Sequence, residues 1–297
     1  MSDWSGKKIG IIGGTGFIGG KIKEYGVFEE CELILFSREK GKAEREVPGE
    51  GLLDFSELSA VINLAGEAVD GRWNEKKKQS IRESRLKITR QVVASLAAMS
   101  EEERPKVLLN ASATGYYGDR GNEILTEEVA PGDDFLAKVC VDWEIEAMRA
   151  RALGVRVVCL RTGVILGEDG KAWKQLERVF RLGIGGKLGD SQQWFPWIHA
   201  RDEVAAIAFC MKNESVTGPV NLTAPGVLTN EEFTKKMAEA CHRPAIFTVP
   251  AFALRLALGE FAGALLGSAR VTPKALSESG FAFKFPELTA ALSDLRS

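Results

Sequence analysis

Short apolar runs alternate with longer amphipathic segments along the chain as far as Gly163. Residues 8–12, 31–36, 60–64, 107–109 and 155–160 are apolar enough to form buried strands. Between them, apolar positions recur with a helical period over residues 17–25, 74–99 and 133–153. Such alternation is typical of an α/β fold, and we predict a doubly wound parallel sheet (a Rossmann fold) covered by helices on both faces.

The pattern loosens after Gly163. We expect a ligand-covering loop at the glycines Gly183, Gly185, Gly186 and Gly189. Residues 202–211 then read as a helix, 220–222 as a short strand, and residues near 230–241 and 250–266 as two further helices. We therefore predict a Rossmann domain over residues 7–225, whose loop insertion at about 167–195 belongs to a small C-terminal substrate lobe formed by residues 226–297.

Composition narrows the classes of partner. With 39 basic and 41 acidic residues the formal net charge is −2, so we expect neither nucleic acid nor membrane as a partner. Five cysteines without a CxxC pair and only two histidines predict no metal site. The odd cysteine count and the lack of an apolar leader predict a cytoplasmic protein. Residues 251–267 contain Arg255 and Glu260 and are too few to span a bilayer, which favours a packed amphipathic helix.

A glycine-rich stretch, Gly13-Gly-Thr-Gly-Phe-Ile-Gly19, stands between the first predicted strand and the first predicted helix. Strand, glycine turn and helix start, in that order, form the context in which a dinucleotide pyrophosphate meets the open N–H groups of a helix N-terminus. We predict cofactor contacts at Gly13, Thr15, Gly16, Phe17, Ile18 and Gly19.

The residues after the second predicted strand distinguish NAD from NADP. Enzymes that bind NAD usually carry an acidic residue there, on the ribose hydroxyls. Here the stretch is Ser37-Arg38-Glu39-Lys40, and Glu39 lies beyond the expected contact position. A guanidinium and a hydroxyl suit a 2′-phosphate, so we predict NADP(H), bound by Ser37 and Arg38.

Motifs along the whole chain resemble those of one family. They are Gly13 to Gly19, Ile62-Asn-Leu-Ala-Gly-Glu67, Arg72-Trp73, Ser84-Arg85 with Thr89, Ser112 to Asp119, Phe135-Leu-Ala137, Asp142-Trp-Glu144, Arg161 to Gly167, Phe195 to His199, and Gly280 to Pro286 with Leu288, Ala291 and Leu292. The chain resembles the extended short-chain dehydrogenase/reductases, and within them the atypical epimerase family whose members end in a small domain of unknown function. That resemblance implies an NADP(H)-dependent oxidoreductase or epimerase acting on a small carbonyl or hydroxyl compound, with sugar nucleotides among the options. Some relatives are labelled cell-division inhibitors, which leaves a non-catalytic, NADP(H)-binding regulator as the alternative.

In the superfamily a Tyr-x-x-x-Lys pair supplies the proton and steadies the cofactor, and Lys138 stands where that lysine belongs. Four residues earlier the chain has Asp134 instead of tyrosine. One hypothesis takes the proton from Tyr116 or Tyr117, with Ser112 polarising the substrate oxygen. A second hypothesis makes Asp134 the acid or base. In a third, the protein has lost the redox chemistry and only binds the cofactor.

The resemblance also implies further contacts around the cofactor and the substrate. The expected cofactor contacts are Asn63, Leu64, Ala65, Gly66, Lys138, Arg161, Gly163 and Val164. The expected substrate contacts are Glu67, Trp73, Arg85 and His199. For Arg85 a salt bridge on the helix face is an equal alternative, and Trp73 has packing as its alternative. A structural role for His199 carries more weight because it has no evident carboxylate partner. The partner is an unidentified small-molecule substrate. Both a monomer and a homodimer paired through the helices at 74–99 and 133–153 remain open.

Overall fold

The computed structural model describes residues 4–39 and 41–296. Lys40, part of the predicted NADP(H) loop, lies outside the described residues. The strands are β1 (Lys8–Ile12), β2 (Glu32–Ser37), β3 (Arg45–Glu46), β4 (Leu58–Asn63), β5 (Val107–Ala113), β6 (Ile124–Leu125), β7 (Arg156–Thr162), β8 (Val164–Leu166), β9 (Gly186–Leu188), β10 (Trp194–Phe195), β11 (Trp197–His199), β12 (Gly218–Leu222), β13 (Leu228–Thr229), β14 (Phe247–Val249) and β15 (Arg270–Val271). The helices are α1 (Phe17–Glu24), α2 (Glu75–Ala97), α3 (Phe135–Met148), α4 (Lys171–Arg181), α5 (Ala200–Lys212), α6 (Asn230–Cys241), α7 (Ala251–Leu258), α8 (Phe261–Leu266), α9 (Lys274–Glu278) and α10 (Leu288–Asp294). Two short 3-10 helices occupy Thr114–Tyr117 and Arg149–Leu153.

A seven-stranded parallel sheet, in the order β12-β7-β5-β4-β1-β2-β3, forms the centre of the fold. The predicted doubly wound parallel sheet is confirmed. Helices α1 and α5 pack on one face through an apolar cluster that includes Ile22 and Ile207, and α2 and α3 pack on the other through Val92 and Ala147. Strand order reverses between β1 and β4, and in open parallel sheets ligands bind beside the carboxyl ends of the strands at such a point.

The C-terminal segment is joined to earlier parts of the chain through short strand pairs and one buried carboxylate. The pairs are β9 with β14, β10 with β13 and β6 with β15, and a further pair joins β8 with β11. Asp202, in the first turn of α5, accepts hydrogen bonds from the backbone N–H groups of Lys284 and Phe285, both at 2.8 Å. This part of the chain therefore packs against the central sheet, and the proposed boundary between residues 225 and 226 stays a prediction.

Three sequence predictions about the C-terminal half were wrong. The single helix expected over residues 250–266 is two helices, because Gly259 adopts a positive φ of 62° between α7 and α8. None of the residues of α7 is buried, so it is not the packed amphipathic helix that we expected. The loop insertion expected at about 167–195 also contains a helix, α4. Within the described residues no helix is both long and apolar enough to cross a membrane.

Candidate functional site

The glycine loop lies at the carboxyl end of β1 and presents a bare helix terminus. Gly13 has a φ of 79°, and a Cβ atom there would lie 3.0 Å from the backbone nitrogen of Ala65. A Cβ atom at Gly19 would overlap the backbone of Gly14, so only glycine permits this approach of α1 to β1. Gly16 caps α1 without a side-chain hydrogen bond, and no acidic residue stands in the first turn. The loop therefore fits a dinucleotide pyrophosphate.

The side chains next to this loop divide into exposed and packed ones. Thr15 is exposed beside Gly16, whereas Ile18 is half-buried against the core. The ring of Phe17 fills space left by two later glycines, and a Cβ atom at Gly170 would come within 3.1 Å of its Cζ atom. Phe17 thus joins the start of α1 to the segment that follows β8.

At the carboxyl end of β2, Arg38 is exposed and Ser37 is buried. The Ser37 hydroxyl oxygen accepts a hydrogen bond from the backbone N–H of Glu39 at 3.0 Å. The Glu39 carboxylate pairs with Lys42 at 2.5 Å, and hydrogen bonding to Lys42 lowers its pKa. Arg38 is therefore open to a ligand, whereas Ser37 is buried beside it and the Glu39 carboxylate is paired with a lysine.

Asn63 ends β4 with a completely buried side chain. Its amide donates to Asn110 at 2.7 Å and to Thr89 at 3.1 Å, while its oxygen accepts from the Ala65 backbone at 3.3 Å. The asparagine thus positions the turn that follows it by hydrogen bonds within the protein. Past it, Leu64 and Ala65 are half-buried and Gly66 is exposed beside the glycine loop.

A buried ion pair joins β5, β7 and α3. Arg161 binds both carboxylate oxygens of Glu144 at 2.8 Å, and the Ser112 hydroxyl donates to the same carboxylate at 2.7 Å. Burial by itself would lower the pKa of Arg161, but the hydrogen bonds and charge of Glu144, together with Tyr117, raise it. Because a serine has one hydroxyl proton, this geometry leaves Ser112 free to accept, but not to donate, a second hydrogen bond.

The two candidate tyrosines have different surroundings. Tyr117 is completely buried, its hydroxyl donates to Asn221 at 2.7 Å, and it accepts from Arg161 at 3.0 Å. Burial raises the pKa of Tyr117 to about 12. Tyr116 is half-buried, with its ring centroid 3.4 Å from Cζ of Arg161, and its hydroxyl forms no hydrogen bond with any described residue. Tyr116 is therefore the tyrosine that can present a proton to a ligand.

Asp134 is engaged in a hydrogen bond within the part of the chain that the structure describes, whereas Lys138 is not. Asp134 caps α3, where its carboxylate accepts from the backbone N–H of Ala137 at 2.8 Å. Lys138, in the first turns of the same helix, is exposed, and its ammonium group pairs with nothing in residues 4–39 and 41–296. Helix α3 also packs against the 3-10 helix that carries Tyr116, with Leu136 next to Gly115. Lys138 and Tyr116 thus lie on neighbouring elements.

Comparison with known proteins assigns the family. Residues 9–222 match the family model described as the NAD dependent epimerase/dehydratase family, and residues 249–295 match a domain of unknown function, DUF1731. The chain belongs to the NAD dependent epimerase/dehydratase family. The family resemblance predicted from the motifs is confirmed.

Relatives of this epimerase-family chain are similar over nearly its full length. The epimerase family protein YfhF of Bacillus subtilis (strain 168) is 36% identical and covers 97% of both chains. The Arabidopsis thaliana homolog of epimerase family protein SDR39U1 is also 36% identical, over 96% of this chain and 85% of its own. The crystal structure of human SDR39U1 (isoform2) with NADPH matches with a TM-score of 0.89 at 30% identity, over 97% of this chain and 98% of the human one. That NADPH-bound neighbour supports the cofactor predicted from Arg38.

In this epimerase-family chain two predicted substrate residues, Glu67 and Trp73, lie in the segment between β4 and α2. Glu67 bonds Lys77 at 2.6 Å and also Ser80, and the bond to Lys77 is the main reason for its lowered pKa. Trp73 packs edge-on against Phe135, 5.2 Å between centroids, and against Phe261 of α8 at 5.6 Å.

Trp73 and Phe135 also line a cavity together with residues of the C-terminal helices. This cavity has a volume of about 480 Å³, and its other side is formed by Arg255, Glu260 and Ala264. The C-terminal helices α7 and α8 therefore form one side of a cavity at the start of α3.

The contacts of His199, Gly163 and Val164 are mainly structural. His199 is buried against Phe285, with 4.1 Å between ring centroids, and its Nδ1 accepts from the backbone of Arg201. Burial lowers its pKa to about 4. Gly163 and Val164 donate backbone hydrogen bonds to Leu222 and Pro196. The structure thus places His199 among structural contacts, and the expectation that it lacks a carboxylate neighbour was wrong, since its Nε2 lies 3.4 Å from the Asp294 carboxylate.

Two buried acidic residues were not predicted from the sequence as candidate site residues. Glu144 organises Ser112 and Arg161, and Glu203 of α5 is a completely buried carboxyl group that accepts from Thr162 at 2.9 Å. Burial raises the pKa of Glu203 to about 8. Their common signal was an acidic residue on the apolar face of a helix, since buried acids require a partner or a proton.

Proposed function

We propose that this chain binds NADP(H) along the carboxyl edge of its sheet and catalyses oxidation, reduction or epimerisation at a carbonyl or hydroxyl carbon of a small substrate. The observation that carries the proposal is the setting of Tyr116. Its ring lies on the Arg161 guanidinium while its hydroxyl has no partner among the described residues. Tyr116 therefore supplies the hydroxyl group that the superfamily's tyrosine provides and that Asp134 lacks.

The cofactor would be held from three strand ends. The bare terminus of α1 and the loop 13–19 suit its pyrophosphate, and Arg38 with Ser37 suits a 2′-phosphate. Leu64 to Gly66 border the space between them. The NADPH carried by the human relative supports the choice of NADP(H) over NAD(H).

The chain's own groups would manage the proton. When bound, NADP(H) gives or takes a hydride. Tyr116 exchanges a proton with the substrate oxygen through its Oη atom, and the Lys138 ammonium donates hydrogen bonds to ribose hydroxyls. Ser112 donates its only hydroxyl proton to Glu144. It can therefore orient a donor group of the bound ligand only by accepting a hydrogen bond from it. Arg161 fixes the plane of the Tyr116 ring.

Replacing Tyr116 with phenylalanine tests this assignment. We expect kcat to fall by about 10²- to 10⁴-fold, because the positioned proton is lost, while the NADPH dissociation constant changes by less than about threefold. Turnover is followed as NADPH absorbance with small aldehydes and diketones, and by NMR with sugar nucleotides, since an epimerase consumes no net cofactor. Tyr25→Phe is the matched control, because Tyr25 is the remaining one of three tyrosines. A Tyr116→Phe enzyme with unchanged kcat contradicts the assignment.

The second candidate function is a non-catalytic NADP(H)-binding regulator. The geometry of Ser112 and Tyr117 favours it, because both hydroxyl protons already serve buried hydrogen bonds. This function predicts tight NADPH binding by the wild-type chain, no turnover with any substrate in the panel, and full cellular activity of Tyr116→Phe. Turnover that depends on Tyr116 excludes it.

A further inference from the structure

Arg85 has an incomplete set of partners. It lies on α2, is half-buried, and one of its Nη1 N–H groups donates to the backbone oxygen of Ile81 at 2.9 Å. Its other N–H groups have no acceptor in the described part of the chain, although a guanidinium carries five donors. The nearby Glu67 carboxylate is already bound by Lys77 and Ser80. Cations in such settings are normally paired, so Arg85 lacks a partner that a ligand can supply.

The surroundings of Arg85 leave one side open. Its Cζ atom lies 5.1 Å from the ring centroid of Trp143, and a Cβ atom at Gly66 would come within 3.2 Å of it. The ring and the glycine backbone hold the planar guanidinium at the carboxyl end of β4 without offering it an acceptor. Burial lowers the pKa of Arg85, and the charge of Glu67 offsets this lowering only in part.

Arg85 and the terminus of α1 approach the carboxyl edge of the sheet from opposite faces. Helix α1, whose terminus suits the pyrophosphate, covers the sheet face that it shares with α5. Arg85 stands on α2, on the opposite face, which α2 shares with α3 and hence with Lys138. The guanidinium fork of Arg85 therefore reaches the carboxyl edge of the sheet next to Gly66, from the face opposite α1.

We propose that Arg85 binds an anionic group of the substrate, a carboxylate or a phosphate, through two parallel N–H···O bonds. This inference rests on the proposed function and deepens it, because it makes the substrate an anionic carbonyl or hydroxyl compound. The planar fork of arginine matches both anions, and the charge makes each hydrogen bond stronger than a neutral one.

The test is titration of malonate and of inorganic phosphate into the protein saturated with NADP⁺, by isothermal calorimetry. We expect Arg85→Met to weaken dianion binding by about 10- to 100-fold, as for loss of charge-assisted hydrogen bonds. Arg85→Lys, which retains the charge without the fork, falls in between and serves if Arg85→Met does not fold. The matched control is Arg82→Met on the same helix, whose guanidinium pairs with Asp142 at the surface, and we expect it to change affinity less than twofold.

Each other outcome overturns the inference. A wild-type protein without saturable dianion binding, or equal affinities for wild type and Arg85→Met, means that Arg85 is no anion site. If Arg85→Met instead weakens NADP⁺ binding tenfold, the anion it binds belongs to the cofactor. A wild-type chain that fails to bind NADP⁺ at all contradicts the proposed function, and so the two failures are distinguishable.

Discussion

Replacing Glu144 with glutamine removes one charge from a buried ion pair while nearly preserving the shape of the side chain. The Arg161 side chain is 3% exposed and that of Glu144 is 11% exposed, so water can screen neither charge. Two N–H···O bonds of 2.8 Å and the Ser112 bond converge on the Glu144 carboxylate. In the variant, a neutral amide faces a guanidinium that stays charged inside the protein.

The expected loss of stability is large for a single isosteric change. Removing one partner of a buried pair typically costs about 3–5 kcal/mol, because the remaining charge is desolvated and uncompensated. With the unfolding entropy of a 297-residue chain, this cost corresponds to a fall in Tm of about 5–8 °C. An exposed pair of similar geometry, Arg120 with Glu123 at 2.8 Å, contributes less than about 1 kcal/mol.

The assay is thermal and urea unfolding followed by circular dichroism. Glu123→Gln is the matched control, since it also neutralises a glutamate paired with arginine, and we expect its Tm within about 2 °C of wild type. The double variant Glu144→Leu with Arg161→Met should be more stable than Glu144→Gln, because no unpaired charge remains. A Glu144→Gln protein that melts with the control would refute the reasoning that a buried charge determines the loss.

Two further predictions concern pH and cofactor choice. Burial raises the pKa of Glu203 from 4.5 to about 8, so the folded state holds a proton that the unfolded state releases between these values. The stabilisation by this proton is complete below pH 4.5 and disappears as the pH rises through 8. The free energy of unfolding of wild type minus that of Glu203→Gln should therefore fall by about 3 kcal/mol from pH 5 to pH 8 in urea titrations, and a flat difference contradicts the buried neutral acid. Arg38→Ala should weaken NADPH binding by about tenfold and NADH binding by less than threefold in fluorescence titrations, and an equal effect on both cofactors would exclude a 2′-phosphate contact.

Features that depend on neighbouring residues were predictable from the sequence. The glycine loop, the strands of the sheet and the N-terminus of α2 all follow local patterns, and structure and pattern differ there by a few residues. Gly259 shows the limit of such patterns, since apolar periodicity over 250–266 gave no sign that a positive φ would divide the segment into two helices. Local periodicity reports which face is apolar, but not where the backbone turns.

The roles of the polar side chains depended on distant partners and could not be predicted. Ser112 meets Glu144, 32 residues away, and Tyr117 meets Asn221, 104 residues away. Only the folded sheet shows that these two hydroxyl protons are already used, and that Tyr116 and Lys138 are left open. The sequence predicted which residues gather at the carboxyl edge, whereas tertiary packing decides which of them can still donate a proton.

The two hydrogen bonds between Asp202 and the C-terminal segment constrain the sequence differently at their acceptor and donor positions. Their acceptor is a side chain, but their donors are the backbone N–H groups of residues 284 and 285, which every amino acid except proline possesses. Position 284, where Lys284 is exposed, is therefore free to drift through evolution without loosening the attachment. Position 202 has no such freedom, since only a short carboxylate reaches both N–H groups. Among homologous chains, an invariant acid would thus face a variable partner, and co-variation between the two positions would fail to reveal their contact.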